Sequence, residues 1–223
     1  QLKLELQDKL DISFYYEGIS FKYTFQAAIK KLKTSQIMLC VDDQIFIQCT
    51  GYNEVLKSCS EADFFTLRFG LNTNYSYNLN KKMEEPFRRR SNGILLIWPC
   101  AFVTNDFHYP MSFDATIFDK SILRLMSRLL LYSTPNQFEG YMNYGKYAVA
   151  LFGLRIGCFT EQRAVNIVLN KVQKDNNNKS LGIPLEILNQ YFDQGKYLVS
   201  DRKAEFIFNS SHADQGYAFK NLT

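Results

Sequence analysis

The chain is poor in the residues that build most catalytic centres. It has two histidines, His108 and His212, which excludes a metal site made of several imidazoles, and no Cys/His spacing matches a zinc centre. Its five cysteines (Cys40, Cys49, Cys59, Cys100, Cys158) are an odd number with no CxxC pair. Such usage points to free thiols in a reducing compartment rather than a disulfide framework. Neither GxxxxGK(S/T) nor GxGxxG occurs, so the two common phosphate-cradling loops are missing and no cofactor is expected. The longest apolar run, ILLIWPCAFV at 94–103, is ten residues long and contains Pro99. A membrane-spanning helix needs ~20 such residues, so no bilayer crossing is expected.

Two kinds of catalysis remain open on composition. A Cys-His pair using His108 is conceivable, but no neighbour marks a thiol as activated, and packing cysteines are the simpler reading. The carboxylates of Asp42-Asp43, Glu84-Glu85, Asp106, Asp114 and Asp119 could meet as an acid/base pair, although turns and solvated connectors explain them more simply. Four N-x-S/T sequons begin at Asn74, Asn178, Asn209 and Asn221; a chain rich in Asn and Ser yields these by chance, and the thiols argue against secretion. The start at Gln1 suggests a trimmed or processed chain, with any N-terminal arm or signal upstream.

What is present is a globular composition. In 223 residues, 46% are hydrophobic and 22% charged, enough for one large domain or two small ones. Fourteen Tyr and nineteen Phe, many at alternating positions, favour strands. Residues 12–25 (ISFYYEGISFKYTF) read as two strands or one bent strand, followed by a short amphipathic helix at 26–33. Ile37, Leu39 and Val41, then Ile45, Ile47 and Cys49, alternate around Asp42-Asp43-Gln44 as a tight hairpin would. Phe65 to Leu71 and Tyr75 to Leu79 continue the alternation as a long strand or hairpin, and 94–103 reads as a buried strand disturbed by Pro99.

Residues 119–132 form the clearest helix, with Asp119 as cap and Ile122, Leu125, Met126 and Leu129 towards the core. Residues 147–159 return to strand. Beyond Thr160, Val165, Val168, Leu169 and Val172 have helical spacing, 184–192 reads as a short helix, and 197–199 with 204–208 as a hairpin. From Asn209 a frayed polar tail is expected. The expected fold is α+β: an antiparallel sheet flanked by two main helices in a core of residues 1–159, with a small helix/hairpin annex at 160–223.

The positive signal is clustered cation. Net charge is +4, from 26 basic and 22 acidic residues. Lys30, Lys31 and Lys33 share one helix, and Lys81, Lys82, Arg88, Arg89 and Arg90 fall within ten residues. On one face they would bind phosphates or anionic headgroups, at ~1 kcal/mol per cation beside an anionic bilayer. The ordinary alternative is a solvated surface. Nearby aromatics such as Phe21, Tyr23 and Phe87 could stack on bases, though strand core suits most of them better.

One resemblance gathers these features. The order strand, Phe21-Lys22-Tyr23, Ala27-Ala28 helix, hairpin, long strand, Pro86-Phe87-Arg88-Arg89, Asn92-Gly93-Ile94 strand, helix and Ala150-Leu151-Phe152-Gly153-Leu154 resembles the rhabdovirus matrix proteins over about residues 10–158. The resemblance implies a divergent relative, from a plant or insect virus. It would self-associate, condense the viral nucleoprotein-RNA and attach it to the inner membrane leaflet during budding, located in the virion and in the host cytoplasm or nucleus. Departures are the missing PPxY or PTAP motif, the missing Lys-rich arm before the fold, and a segment after Thr160 with no counterpart. Two rival expectations stand beside it: a nucleic-acid-binding nucleoprotein or accessory factor without a membrane role, and a Cys-dependent enzyme.

Overall fold

The computed structural model describes residues 12–48, 50–85, 90–91, 95–99, 105–109, 111–144, 153–170, 179–200, 208–214 and 217–221. The fold is α+β, as expected. Its first helix, α1 (Phe21–Lys31), contains most of the helix expected at 26–33 but starts earlier, at 21–25, where strand was expected. Two periodicities compete there. Phe21, Tyr23 and Phe25 alternate as a strand would, while Phe21, Phe25 and Ile29 share one helical stripe. The stripe prevails because Ser20 caps the helix, its hydroxyl accepting from the Tyr23 N–H at 3.4 Å, and because Phe21 and Phe25 stack at 5.3 Å. Ile29 is buried and Tyr23 is left outside.

Strands β1 (Gln36–Leu39) and β2 (Gln44–Phe46) do not form the expected hairpin. β1 pairs with β8 (Thr116–Asp119), and β2 with β10 (Ala164–Ile167). Ile37 and Leu39 enter the main core while Ile45 and Ile47 pack in another cluster, so the two halves part company after Val41. The segment 164–167 is therefore a fully buried strand and not the helix its valine spacing suggested. β-branched side chains enclosed on both faces favour the pleated conformation.

The main sheet runs β1-β8-β3-β9-β7-β6, where β3 is Phe64–Thr66, β6 Arg90–Ser91, β7 Leu95–Pro99 and β9 Arg155–Phe159. It is mixed rather than wholly antiparallel, because β3 and β9 run parallel. Parallel neighbours need a long crossover, and the chain from 67 to 154 supplies it. Phe64 faces the main core, edge-on to Phe118 at 5.5 Å, while Phe65 meets Phe159 at 5.0 Å on the other side. Gly157 lies opposite Phe65, and a Cβ there would stand 2.9 Å from the Phe65 ring. Pro99 closes β7 at its last residue, where a missing N–H does least harm.

Helix α2 (Tyr52–Cys59) covers the second cluster. Helix α3 (Lys120–Leu129) begins as expected: Asp119 accepts from the N–H of Ser121 at 2.7 Å and of Ile122 at 3.3 Å. Partial burial works against this carboxylate, but the bonds from Ser121 and Ile122 outweigh it and hold the pKa below its ordinary value. The buried face of α3 is turned in part from the expected one, of which Ile122 and Met126 still pack against the core. Leu123 and Ser127 are buried, with Met126 and Leu130 beside them, while Leu125 and Leu129 are 57% and 71% exposed. α1 sets this rotation. Lys22 Nζ donates to the Leu130 carbonyl at 2.6 Å, and Gln26 Nε2 to that of Ser127 at 2.6 Å.

Helix α4 (Pro135–Tyr144) had no sequence expectation. It completes an aromatic box in which the Phe138 ring lies 4.5 Å from Tyr132 and 5.4 Å from Phe25. Near the C-terminus, α5 (Leu185–Asp193) matches expectation, but β11 (Lys196–Ser200) pairs with β13 (Tyr217–Asn221), in the stretch expected to fray. The partner expected for it, 204–208, lies outside the described residues except for Phe208. β12 (His212–Ala213) runs parallel to β10, directly after the buried Ser210 and Ser211. The short ribbon of β4 (Tyr75–Ser76) and β5 (Lys81–Lys82) is held to the same region, as the N–H groups of Asn74 and Tyr75 both donate to the Asn209 carbonyl at 3.0 Å. Contacts thus cross residue 160 at several points.

Candidate functional site

The expected cations occupy separate regions. Lys30 and Lys31 end α1 and Lys33 follows it; all three are exposed, and Lys31 Nζ lies 5.0 Å from the Tyr15 ring centre. This segment leads into β1, one edge of the main sheet. Arg90 belongs to β6 at the opposite edge, five strand spacings or ~24 Å away. Lys81 and Lys82 form β5, on the ribbon beside residues 208–214. Arg88 and Arg89 lie outside the described residues. Lys81 and Lys82 are therefore joined with each other, and Lys30, Lys31 and Lys33 with each other. No hydrogen bond or ion pair links the two lysine groups among the described residues.

A buried polar centre lies where no site was expected. Arg68 is 3% exposed, and its guanidinium contacts Asp114 Oδ2 at 3.1 Å and the Tyr109 carbonyl. Asp114 Oδ1 accepts from Asn166 Nδ2 at 2.8 Å. Around this pair, burial pushes Asp43 up to about 7, with the charges of Asp114 and Asp42 adding to it. Glu139 is driven up to about 8, by burial first and then by Asp114, against the opposing Phe113 N–H and Arg68. Burial lowers His212 below its ordinary value.

This centre gathers carboxylates and a histidine, yet its geometry is that of a girder. Both Asp114 oxygens are engaged, and His212 Nδ1 lies 3.1 Å from the hydroxyl of Ser211, itself 1% exposed and out of reach of substrate. The described thiols are likewise unactivated. Burial raises Cys59 to about 11 and raises Cys158 further, and the Cys40 thiol is also raised by burial. His108 has no described side chain, so the pair considered with it lies outside the described residues. No group of three or more His, Cys, Asp or Glu side chains among the described residues is placed to hold a metal ion, and no described helix is long and apolar enough to cross a membrane.

Beside this centre opens a polar groove of about 550 Å³, lined by Tyr75, Tyr77, Lys179, His212, Asp214 and neighbouring Asn and Ser residues. Tyr77 donates its hydroxyl proton to Asp214 Oδ2 at 3.1 Å, and Tyr75 donates to Asn80 Oδ1. Burial and Asp214 both raise Tyr77 above the usual tyrosine range. A second hollow, of about 370 Å³, lies near Cys59, Asp63 and Asp119. Its carboxylates are occupied, Asp63 by the Arg155 N–H at 2.8 Å and Asp119 as a helix cap.

The groove residues escaped sequence reading because Tyr75 and Tyr77 looked like core and His212 like tail. Arg68 and Asn166 did leave a signal: each interrupts an apolar stretch (TLRFG, AVNIV), where a polar side chain must find a buried partner. Compared with family models, curated proteins and solved structures, the chain matches none.

Proposed function

We propose that this protein is a non-enzymatic viral assembly protein of matrix type, which self-associates, condenses the nucleoprotein-RNA and links it peripherally to anionic membrane. The observation that carries this reading is the state of its lysines. Lys30, Lys31, Lys33, Lys81 and Lys82 are all exposed, and none has a carboxylate partner among the described residues. Cations left without a carboxylate partner favour contact with polyanions, although the single shared face expected from the sequence is not what supports this reading. Self-association draws support from Tyr23, Leu125, Leu129 and Leu131, apolar side chains 57–84% exposed on α1, on α3 and just beyond it. The raised thiols and the enclosed polar centre weigh against a Cys-dependent enzyme.

Flotation with phosphatidylserine-containing vesicles tests the membrane arm, and light scattering against protein concentration tests assembly. Lys30→Glu with Lys33→Glu is expected to weaken vesicle binding at least thirtyfold, from ~1 kcal/mol lost per cation. A chain that binds neither vesicles nor RNA and stays monomeric at high concentration refutes the reading. RNA binding without flotation replaces it with the nucleic-acid-binding alternative.

A further inference from the structure

Tyr75 and Tyr77 are two residues apart and both line the groove. Tyr75 reaches it from β4 and Tyr77 from the turn that follows the strand. Lys82 is the cross-strand partner of Tyr75, and so shares its face of the ribbon. Lys179 Nζ lies 5.7 Å from the Tyr77 ring centre. Two rings and the Lys179 cation thus line one hollow, with Asn80, Asn209 and Ser210 supplying amide and hydroxyl groups, and Lys82 stands across the ribbon from Tyr75.

We propose that this groove binds single-stranded RNA, with successive bases stacked on Tyr75 and Tyr77, the intervening phosphates contacted by Lys82 and Lys179, and a ribose hydroxyl held by Asp214. Aromatic platforms flanked by cations accept any base, since every base has a π-face, and this suits a protein that coats RNA without reading its sequence. The carboxylate of Asp214 would repel a phosphate but accepts well from a 2′-hydroxyl, the group that separates RNA from DNA. The neutral His212 ring adds hydrogen-bonding capacity without charge. The assignment rests on the ribonucleoprotein part of the proposed function and names the place where that contact is made.

Fluorescence anisotropy of a labelled oligouridine of about twelve nucleotides, with the corresponding oligothymidine as control, tests it on the full chain. Tyr77→Leu is expected to weaken RNA binding about tenfold or more. Lys179→Glu, at an exposed position, is expected to weaken it similarly and to reduce the salt dependence by about 0.7 to 1 in log–log slope. Asp214→Ala should erase a preference for RNA over DNA. RNA binding unchanged in both Tyr77→Leu and Lys179→Glu overturns the groove and leaves the ribonucleoprotein reading standing. Absence of RNA binding by the wild-type chain overturns both, with vesicle flotation then judging the membrane arm alone. Lys179→Glu that weakens flotation but not RNA binding overturns the assignment in favour of lipid headgroups.

Discussion

Replacing Glu139 by glutamine tests the buried polar centre through its dependence on pH. Glu139 lies on α4 and accepts a hydrogen bond from the Phe113 N–H, which a glutamine side-chain oxygen can still accept. In the folded protein its carboxyl titrates near 8, against 4.5 ordinarily, because burial and then the Asp114 charge disfavour the anion. A folded pKa raised in this way supports folding while the proton is bound, and that support drains away as pH rises from about 4.5 through 8. The interval of roughly 3.5 pH units, at ~1.4 kcal/mol each, amounts to about 5 kcal/mol. Glutamine cannot ionise and escapes this loss.

Urea unfolding followed by circular dichroism between pH 4 and 9 reads the difference directly. Near pH 4 the two proteins should be within ~1 kcal/mol of each other, with the Glu139→Gln variant bearing any cost of its extra amide donors. By pH 9 the variant should be the more stable by about 3 to 5 kcal/mol. Asp43 and His212 titrate in both proteins and cancel in the comparison. A stability difference that stays constant across the range would refute the placing of a proton on Glu139 at neutral pH.

Three further perturbations probe separate features. Arg68→Met leaves Asp114 buried without its cation and should cost about 3 to 5 kcal/mol by chemical denaturation, whereas a loss below ~1 kcal/mol would show the pair to be incidental. Gly157→Ala drives a methyl against the Phe65 ring and should cost about 1 to 3 kcal/mol; calorimetry of Gly157→Ala with Phe65→Leu should recover part of it. Asp119→Ala removes the acceptor from the start of α3 and should lower stability by about 1 kcal/mol, with the loss shrinking as pH falls towards the carboxylate pKa, since a lowered folded pKa contributes only above it.

The sequence and the structure agree where one physical signal acts alone. The Asp119 cap and the apolar spacing behind it leave α3 no rival conformation, and its start was legible. Agreement fails where two signals compete. The Phe21-Tyr23-Phe25 alternation and the Phe21-Phe25-Ile29 stripe are both present, and a hydrogen bond to Ser20 decides between them. Leu125 and Leu129 were expected inside because leucine usually is, yet the position of α1 turns them outwards. Strand partners were the least legible feature. Ile37 to Leu39 and Ile45 to Ile47 read as a hairpin by proximity, while their true partners lie about eighty and one hundred and twenty residues along the chain. The lysines were visible as a composition, but their separation into two regions depended on that same long-range pairing. The groove was invisible because Lys179 and His212 reach it from residues distant in sequence.

The parallel pairing of β3 with β9 also governs how this chain can be made. Phe64 waits for Ile156, 92 residues downstream by subtraction of their numbers, before its second flank is filled. At a translation rate of ~5 to 20 residues per second, a nascent chain would carry β3 without its β9 neighbour for roughly 5 to 18 seconds. During that interval one flank of the strand is an unpaired edge, open to association with other chains until β9 arrives.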